Sequence, residues 1–209
     1  MTDTGITLID ALELPENRID ESIADWQQRV ALIHTAPGFR DARLHRRLSP
    51  ESRLGLVAVA HWDSLEAHDK ALADHGLTAS EVVAPGNAEV RSGRYGVAAE
   101  FHSTTGNSGE GPGITFVNAF EIPADRIDDF LPNWRDRAQH MSTAPGFRAN
   151  RLHRALDPTT HFPLVNIAQW DTPEAWIAAT NDPRFQQRLT AAPTFATANP
   201  ALFALVAQY

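Results

Sequence analysis

TAPGFRDARLHRRL at residues 35–48 and TAPGFRANRLHRAL at residues 143–156 are the same passage, 108 positions apart. Working outward, the same offset sets GITLIDALELPENRID (5–20) against GITFVNAFEIPADRID (113–128). It runs without a gap from Gly5–Ala67 onto Gly113–Ala175, with about half the paired positions identical, and ends with Phe101 against Tyr209. Self-similarity at a fixed period is a fold-level signal. Two copies of about a hundred residues are too few and too long for a solenoid. They are a tandem duplication of one small domain.

The repeated passage also fixes the local order. Ala-Pro-Gly-Phe at 36–39 and 144–147 ends a helix and turns the chain, because proline and glycine cannot continue it. Before it runs an apolar stripe at three- and four-residue steps: Ile19, Ile23, Trp26, Val30, Ile33, answered by Ile127, Phe130, Leu131, Trp134, Ala138, Met141. Each stripe follows a strand-like run, Ile6–Leu14 or Ile114–Ile122, stopped by Pro15 or Pro123. After the turn come strands at Phe39–Leu48 and Leu54–Trp62, or Phe147–Leu156 and Phe162–Trp170. Asp63 and Asp171 are expected to cap a second helix, with Glu66 and Glu174 behind them. A less regular stretch leads to a last strand, Tyr95–Phe101 or Phe203–Tyr209.

The order β-α-β-β-α-β, twice, predicts an α+β fold of two tandem ferredoxin-like domains. Helices cover one face of each sheet, so the open faces must find partners. The expectation is an intrachain pseudo-dimeric α+β barrel, with a first domain at 1–101, a Gly/Ser-rich linker at 102–112 and a second domain at 113–209.

Composition narrows the function. The net charge of −8 argues against a nucleic-acid partner. No cysteine is present for a disulfide or thiolate metal site. The N-terminus lacks a signal-peptide pattern, and no apolar run reaches membrane length, so a cytoplasmic protein without a membrane partner is expected. His61 and His68 lack further ligands at metal-binding spacing. Gly106, Gly109 and Gly111 lack the strand–turn–helix setting of a phosphate loop.

Alternation in the third strand of the second copy puts Leu164, Asn166, Ala168 and Trp170 on one face, and Val165, Ile167 and Gln169 on the other. The Val/Ile face suits an inter-sheet core. The Asn/Trp face should look toward the helices, where a pocket can lie. The same alternation puts Phe147, Ala149, Arg151 and His153 together on the second strand.

These residues resemble the antibiotic biosynthesis monooxygenase family of dimeric α+β barrels. They are most similar to the small anthrone oxygenases of aromatic polyketide pathways, such as that of actinorhodin biosynthesis. The resemblance rests on Pro145-Gly146-Phe147, His153, Val165-Asn166-Ile167-Ala168-Gln169-Trp170, Glu174-Ala175-Trp176, Asp182-Pro183-Arg184 and Arg188. It implies oxidation of a phenolic polyketide by O2 as co-substrate, with no flavin, haem or metal cofactor. It implies Asn166, Trp170 and Arg188 as catalytic residues and Trp176 as a pocket wall. Trp176 departs from the actinorhodin-type enzyme, which has tyrosine there, and the spacing to Arg188 slips by about a residue.

The copies differ at these positions. Ala58 answers Asn166, His68 answers Trp176 and Ser80 answers Arg188, while Trp62 answers Trp170. The second half is therefore expected to carry the chemistry, with the first as its barrel partner. An anthrone-like substrate needs a flat apolar site, a stabilised oxyanion and exclusion of water. Asn166 can donate to the oxyanion, Trp170 offers a stacking face and an indole N–H, and Arg188 a fixed cation. Phe116 and Asn118 on the first strand, Trp134 on the helical stripe and His153 are further candidates to contact substrate. Each has a structural alternative: Trp134 and Trp170 as core, Asn166 and His153 in local hydrogen bonds, Arg188 in a solvated ion pair. Ring-opening of a related polyketide and non-catalytic ligand binding stay open as functions, as does pairing of two chains into a homodimer.

Overall fold

The computed structural model describes residues 5–78, 89–105 and 111–209. Ser80 and the linker positions 106–110, with Gly106 and Gly109, lie outside the described residues. The first copy forms β1 (Ile6–Glu13), α1 (Glu16–Ile33), β2 (Phe39–Arg47), β3 (Leu56–Trp62), α2 (Leu65–Asp74) and β4 (Glu89–His102). The second forms β5 (Ile114–Glu121), a 3-10 turn (Ala124–Arg126), α3 (Ile127–Met141), β6 (Phe147–Ala155), β7 (Leu164–Trp170), α4 (Pro173–Thr180), α5 (Pro183–Thr190) and β8 (Thr197–Gln208). The strands hydrogen-bond in the order β1-β3-β2-β8-β5-β7-β6-β4 and close as an eight-stranded barrel, the expected architecture.

Two compact units divide the chain: Met1–Gly96 with Leu205–Tyr209, and Val97–Ala204. The division falls inside β4 and β8, so each unit takes the end of the other copy's last strand. In the first unit Tyr209 exchanges two backbone hydrogen bonds with Ala42, at 3.2 and 2.9 Å. Its hydroxyl donates to the Gln27 carbonyl at 3.0 Å, and its ring lies 5.9 Å from Trp26.

Each unit is held by the face the sequence stripes predict. α1 buries Ile19, Trp26, Val30 and Ile33 on its sheet. α3 buries Ile127, Phe130, Trp134, Ala138 and Met141. The two tryptophans ending the third strands make the same T-shaped contact with a phenylalanine, Trp62 on Phe39 and Trp170 on Phe147, both at 5.2 Å. Conservation of that geometry between the units marks it as packing common to both.

Three local expectations change. The second helices are capped one residue later than expected: Ser64 accepts from the Ala67 N–H at 3.1 Å, and Thr172 from Ala175 at 3.2 Å. Asp63 and Asp171 are occupied by Arg40 and Arg148, at 2.7 and 2.5 Å, so their carboxylates do not reach the helix. Second, β6 carries a bulge between Phe147 and Ala149, matched in β2 between Phe39 and Asp41. The extra residue reverses the alternation, so Phe147 shares its face with Asn150 and Leu152 rather than with His153. The irregular stretch before β8 also contains a full helix, α5, with Asp182 as its cap.

Gly38 and Gly146 make the turns possible. Both have positive φ, +90° and +80°, and a Cβ on either would lie 2.5 or 2.6 Å from the Cβ of Ala67 or Ala175. Left-handed backbone and steric overlap then act together. Gly146→Ala is expected to destabilise the protein by about 2–4 kcal/mol in urea unfolding. Gly76→Ala, at φ +63° with open space around it, is expected to lose only about 1 kcal/mol.

Candidate active site

Between the sheet and helices of the second unit lies a cavity of about 440 Å³, within the roughly 300–1,000 Å³ span of small-ligand sites. Its floor is sheet: Phe116, Asn118 and Phe120 from β5, Phe147 and Asn150 from β6, Asn166, Ala168 and Trp170 from β7, Ala198 and Pro200 from β8. Its wall is α3, through Trp134, Arg137, Ala138 and Met141. Its roof is α4 and α5, through Trp176, Thr180, Phe185, Gln186 and Leu189. The β7 face chosen by alternation does turn toward the helices.

Pairing aligns the polar floor. Asn118 sits directly opposite Asn166, and Asn150 opposite Ala168. Directly opposed residues in antiparallel strands have Cβ atoms about 4.5–5.5 Å apart, so three carboxamides share one patch. The side-chain oxygens of Asn118, Asn150 and Asn166 are buried without a hydrogen-bond partner, as is the indole nitrogen of Trp170. Buried polar groups are nearly always paired. Four orphans around one cavity point to groups held ready for a guest. Flat surfaces flank them: Trp176 lies 5.2 Å from Phe116 with ring planes 32° apart, and Trp134 packs 5.9 Å from Phe101.

The structure thus brings together Asn166, Trp170, Trp176, Asn118, Phe116 and Trp134. It does not bring Arg188 or His153 to them. Arg188 has its Nε 3.0 Å from Asp136 and donates from Nη1 to the Arg184 carbonyl at 3.0 Å. Phe185, Gln186 and Leu189 form the cavity-facing stripe of α5, and Arg188 lies about 100° around the helix from it. His153 is buried on the opposite face of β6 from Asn150, with its Nδ1–H donating to the Val165 carbonyl at 3.3 Å. Asn150 and Arg137 are cavity residues the sequence reading missed. The copy offset held a signal for Asn150, because it answers Ala42. For Arg137 it held none, because both copies have arginine there, at 29 and 137.

The first unit shows what the polar residues do to the layer. There one apolar cluster runs continuously through Leu12, Trp26, Val30, Ile33, Ala42, Ala58 and Trp62. In the second unit the layer is two clusters, one around Phe120, Phe130, Trp134, Leu152 and Leu164, the other around Met141, Phe147, Ala168, Trp170 and Ala179. Asn150 and Asn166 stand where the first unit has Ala42 and Ala58. Asn118 answers Asp10, whose burial pushes its carboxyl pKa up to about 6, opposed by a hydrogen bond with Ser92. Among the described residues no three His, Asp or Glu side chains gather to hold a metal ion. No helix among them is long and apolar enough to cross a membrane.

The antibiotic biosynthesis monooxygenase model matches residues 6–76 and again 113–189. The chain belongs to the antibiotic biosynthesis monooxygenase family. It matches no curated protein significantly. Among solved structures it is similar to an anthrone oxidase-like protein, at 18% identity and a TM-score of 0.74, over 100% of this chain and 94% of that one. It is also similar to a candidate monooxygenase from Fusobacterium nucleatum, at 10% identity and a TM-score of 0.66, over 100% and 95% of the two chains. At such identities the likeness is one of fold. It extends through both family repeats.

Two outcomes follow from the polar groups. Asn166→Leu is expected to leave stability unchanged or raise it by about 1 kcal/mol, because it removes an unpartnered amide. A structural amide would instead lose about 1–3 kcal/mol in urea unfolding. For Asp10 the native pKa lies above the ordinary value of 3.8, so the native state favours the neutral acid. The contribution of Asp10 to stability is full below about pH 4 and declines as pH rises toward 6. Asp10→Asn should therefore stabilise above pH 6, by up to about 3 kcal/mol, and change little below pH 4.

Proposed function

We propose that this chain is a cofactor-independent monooxygenase that oxidises a polycyclic aromatic polyketide, an anthrone- or naphthol-like phenol, to a quinone with O2. In this reading the second copy, residues 113–209, bears the chemistry. The first copy, residues 1–101, is its barrel partner. The observation that supports it most is the cluster of unpartnered polar groups on the floor of an otherwise apolar, aromatic-walled cavity.

The chemistry asks little of the protein beyond that. An anthrone loses a ring C–H proton when its carbonyl oxygen can take up the charge. The resulting carbanion passes one electron to O2, and the radical and superoxide combine to a peroxide. Loss of water from the protonated peroxide leaves the quinone, so one O2 yields one carbonyl oxygen and one water. In this reading an amide N–H of Asn166 stabilises the enolate oxygen, Asn118 and Asn150 share it, and their unpartnered amide oxygens accept from the guest's phenol O–H groups. Trp170 can donate its indole N–H to the same region. Trp176, Phe116 and Trp134 supply walls for a planar ring system and keep bulk water out.

Purified protein is expected to convert an anthrone to its quinone in air, with no added flavin or iron, and to stop under argon. A requirement for either additive would refute the proposal. Asn166→Ala is expected to lower kcat by about 10²–10³, the usual effect of removing one oxyanion donor. Ala58→Asn, in the continuous apolar layer of the first unit, is expected to leave turnover unchanged.

A further inference from the structure

The lining of the cavity has one charged member, and the proposed chemistry has not used it. Arg137 extends from α3 into the cavity wall, one position before Ala138 and three after Trp134. Its Nε and Nη2 are buried and have no hydrogen-bond partner among the described residues. Desolvation depresses its pKa, with the neighbouring Asp136 acting in the opposite sense. Asp136 is itself taken up by Arg188 at 3.0 Å. No aspartate or glutamate lines the cavity. The remaining polar lining is three asparagine carboxamides, three indoles, Thr180 and Gln186, all neutral.

A half-buried guanidinium in an apolar wall, with the Phe130 ring 5.7 Å from its carbon and no carboxylate in the cavity, is costly. The cost falls when the guest brings the charge. We infer that the cavity takes its guest as an oxyanion, a conjugated phenolate or enolate, with Arg137 as its counter-ion, the amide N–H groups of the asparagine patch as further donors, and their oxygens left to the guest's remaining O–H groups. This rests on the reading of the cavity as the site for an aromatic phenol and specifies the substrate's form. The acceptable guest is a planar phenol or enol acidic enough to surrender its proton to solvent on binding. Its neutral ether or ester analogues should be rejected. The electrostatic role expected of Arg188 then belongs to a residue on another helix. A guanidinium suits the task because it stays charged and presents N–H donors in a rigid fork.

The test uses 1,8-dihydroxyanthraquinone, already at the quinone level, so that no reaction with O2 is needed. Its visible band moves to the red on ionisation, which reports the bound form directly. With the full-length protein, the bound dye is expected to ionise at least about one pH unit below the free dye. Arg137→Met should abolish that shift and weaken binding about 10- to 100-fold, the range for a lost charged hydrogen bond. Arg137→Lys should restore part of both. Arg135→Met, which removes an equal charge from the exposed side of the same helix, should change neither. Binding of the dye as the neutral phenol, or an unaltered shift in Arg137→Met, would overturn the inference. Failure of the dye to bind to wild-type protein would overturn it together with the reading of the cavity. A red-shifted complex in a protein that leaves anthrone unoxidised would sink the oxygenase and leave the anion site standing.

Discussion

The layer between sheet and helices has to be apolar and close-packed, because burial there is what holds each unit together. In the first unit that demand is met by one cluster, with Asp10 as a buried polar exception on β1. Leu12, Ala42, Ala58 and Trp62 meet Trp26, Val30 and Ile33 in one cluster. Val30 and Ile33 answer Ala138 and Met141, and Leu72 answers Thr180, so branched or apolar side chains stand in the first unit where smaller, straighter or polar ones line the cavity. The cavity in the second unit is a local breach of the same layer. Its edges stay anchored by packing that both units share, above all the T-shaped tryptophan–phenylalanine pairs at the strand ends. Breach and anchor are separated by only a few residues along β7, so Asn166, its amide oxygen unpartnered, sits on a strand fixed by the Trp170 packing.

That arrangement explains why the polar groups matter energetically. An asparagine side chain in water is fully hydrogen-bonded, and burying it without a partner loses about 1–3 kcal/mol. Three such amides and a guanidinium amount to a sizeable fraction of the roughly 5–15 kcal/mol by which a domain is stable. Groups of this kind persist where they act on a ligand, since an apolar isostere would fold better. The enclosed, weakly polarisable surroundings that make them expensive also make them effective, because charge on a bound oxygen is poorly screened there.

How far the sequence revealed this depends on the residue. The two-copy offset and the Pro-Gly-Phe turns were enough for the architecture, since they fix element order and length without reference to contacts. Asn166 was legible because two simple periodicities agreed, the strand alternation and the difference from Ala58. Asn150 showed the same difference, against Ala42, but the bulge after Phe147 turned its face. Period-two counting fails across an inserted residue, and no single sequence announces where one sits. His153 was misplaced by the same bulge. Arg188 was drawn in by resemblance; only the helix phase of α5 and the position of Asp136 show it engaged elsewhere. Arg137 escaped because comparing copies finds what differs, and Arg29 made it look shared. The helix caps slipped by one residue because Asp63 and Asp171 had competing partners across the fold.

Duplication within one chain changes what such a site costs the fold. Were two identical copies to pair, each substitution would appear in both, and every unsatisfied amide or uncompensated charge would be counted twice. A fused chain frees the copies from each other. Ala42 and Ala58 can keep one layer continuous while Asn150 and Asn166 open the other, and the burden of the polar cavity falls once. The sequence divergence follows that line. The strand-end tryptophans, the turn glycines Gly38 and Gly146 and the helical stripes persist in both copies, whereas most cavity-lining positions of the second unit differ from their counterparts. Selection for stability acts on the chain as a whole, so a copy relieved of the asparagine patch can keep Ala42 and Ala58 in its apolar layer, and the copy that bears the patch is constrained by what it must hold.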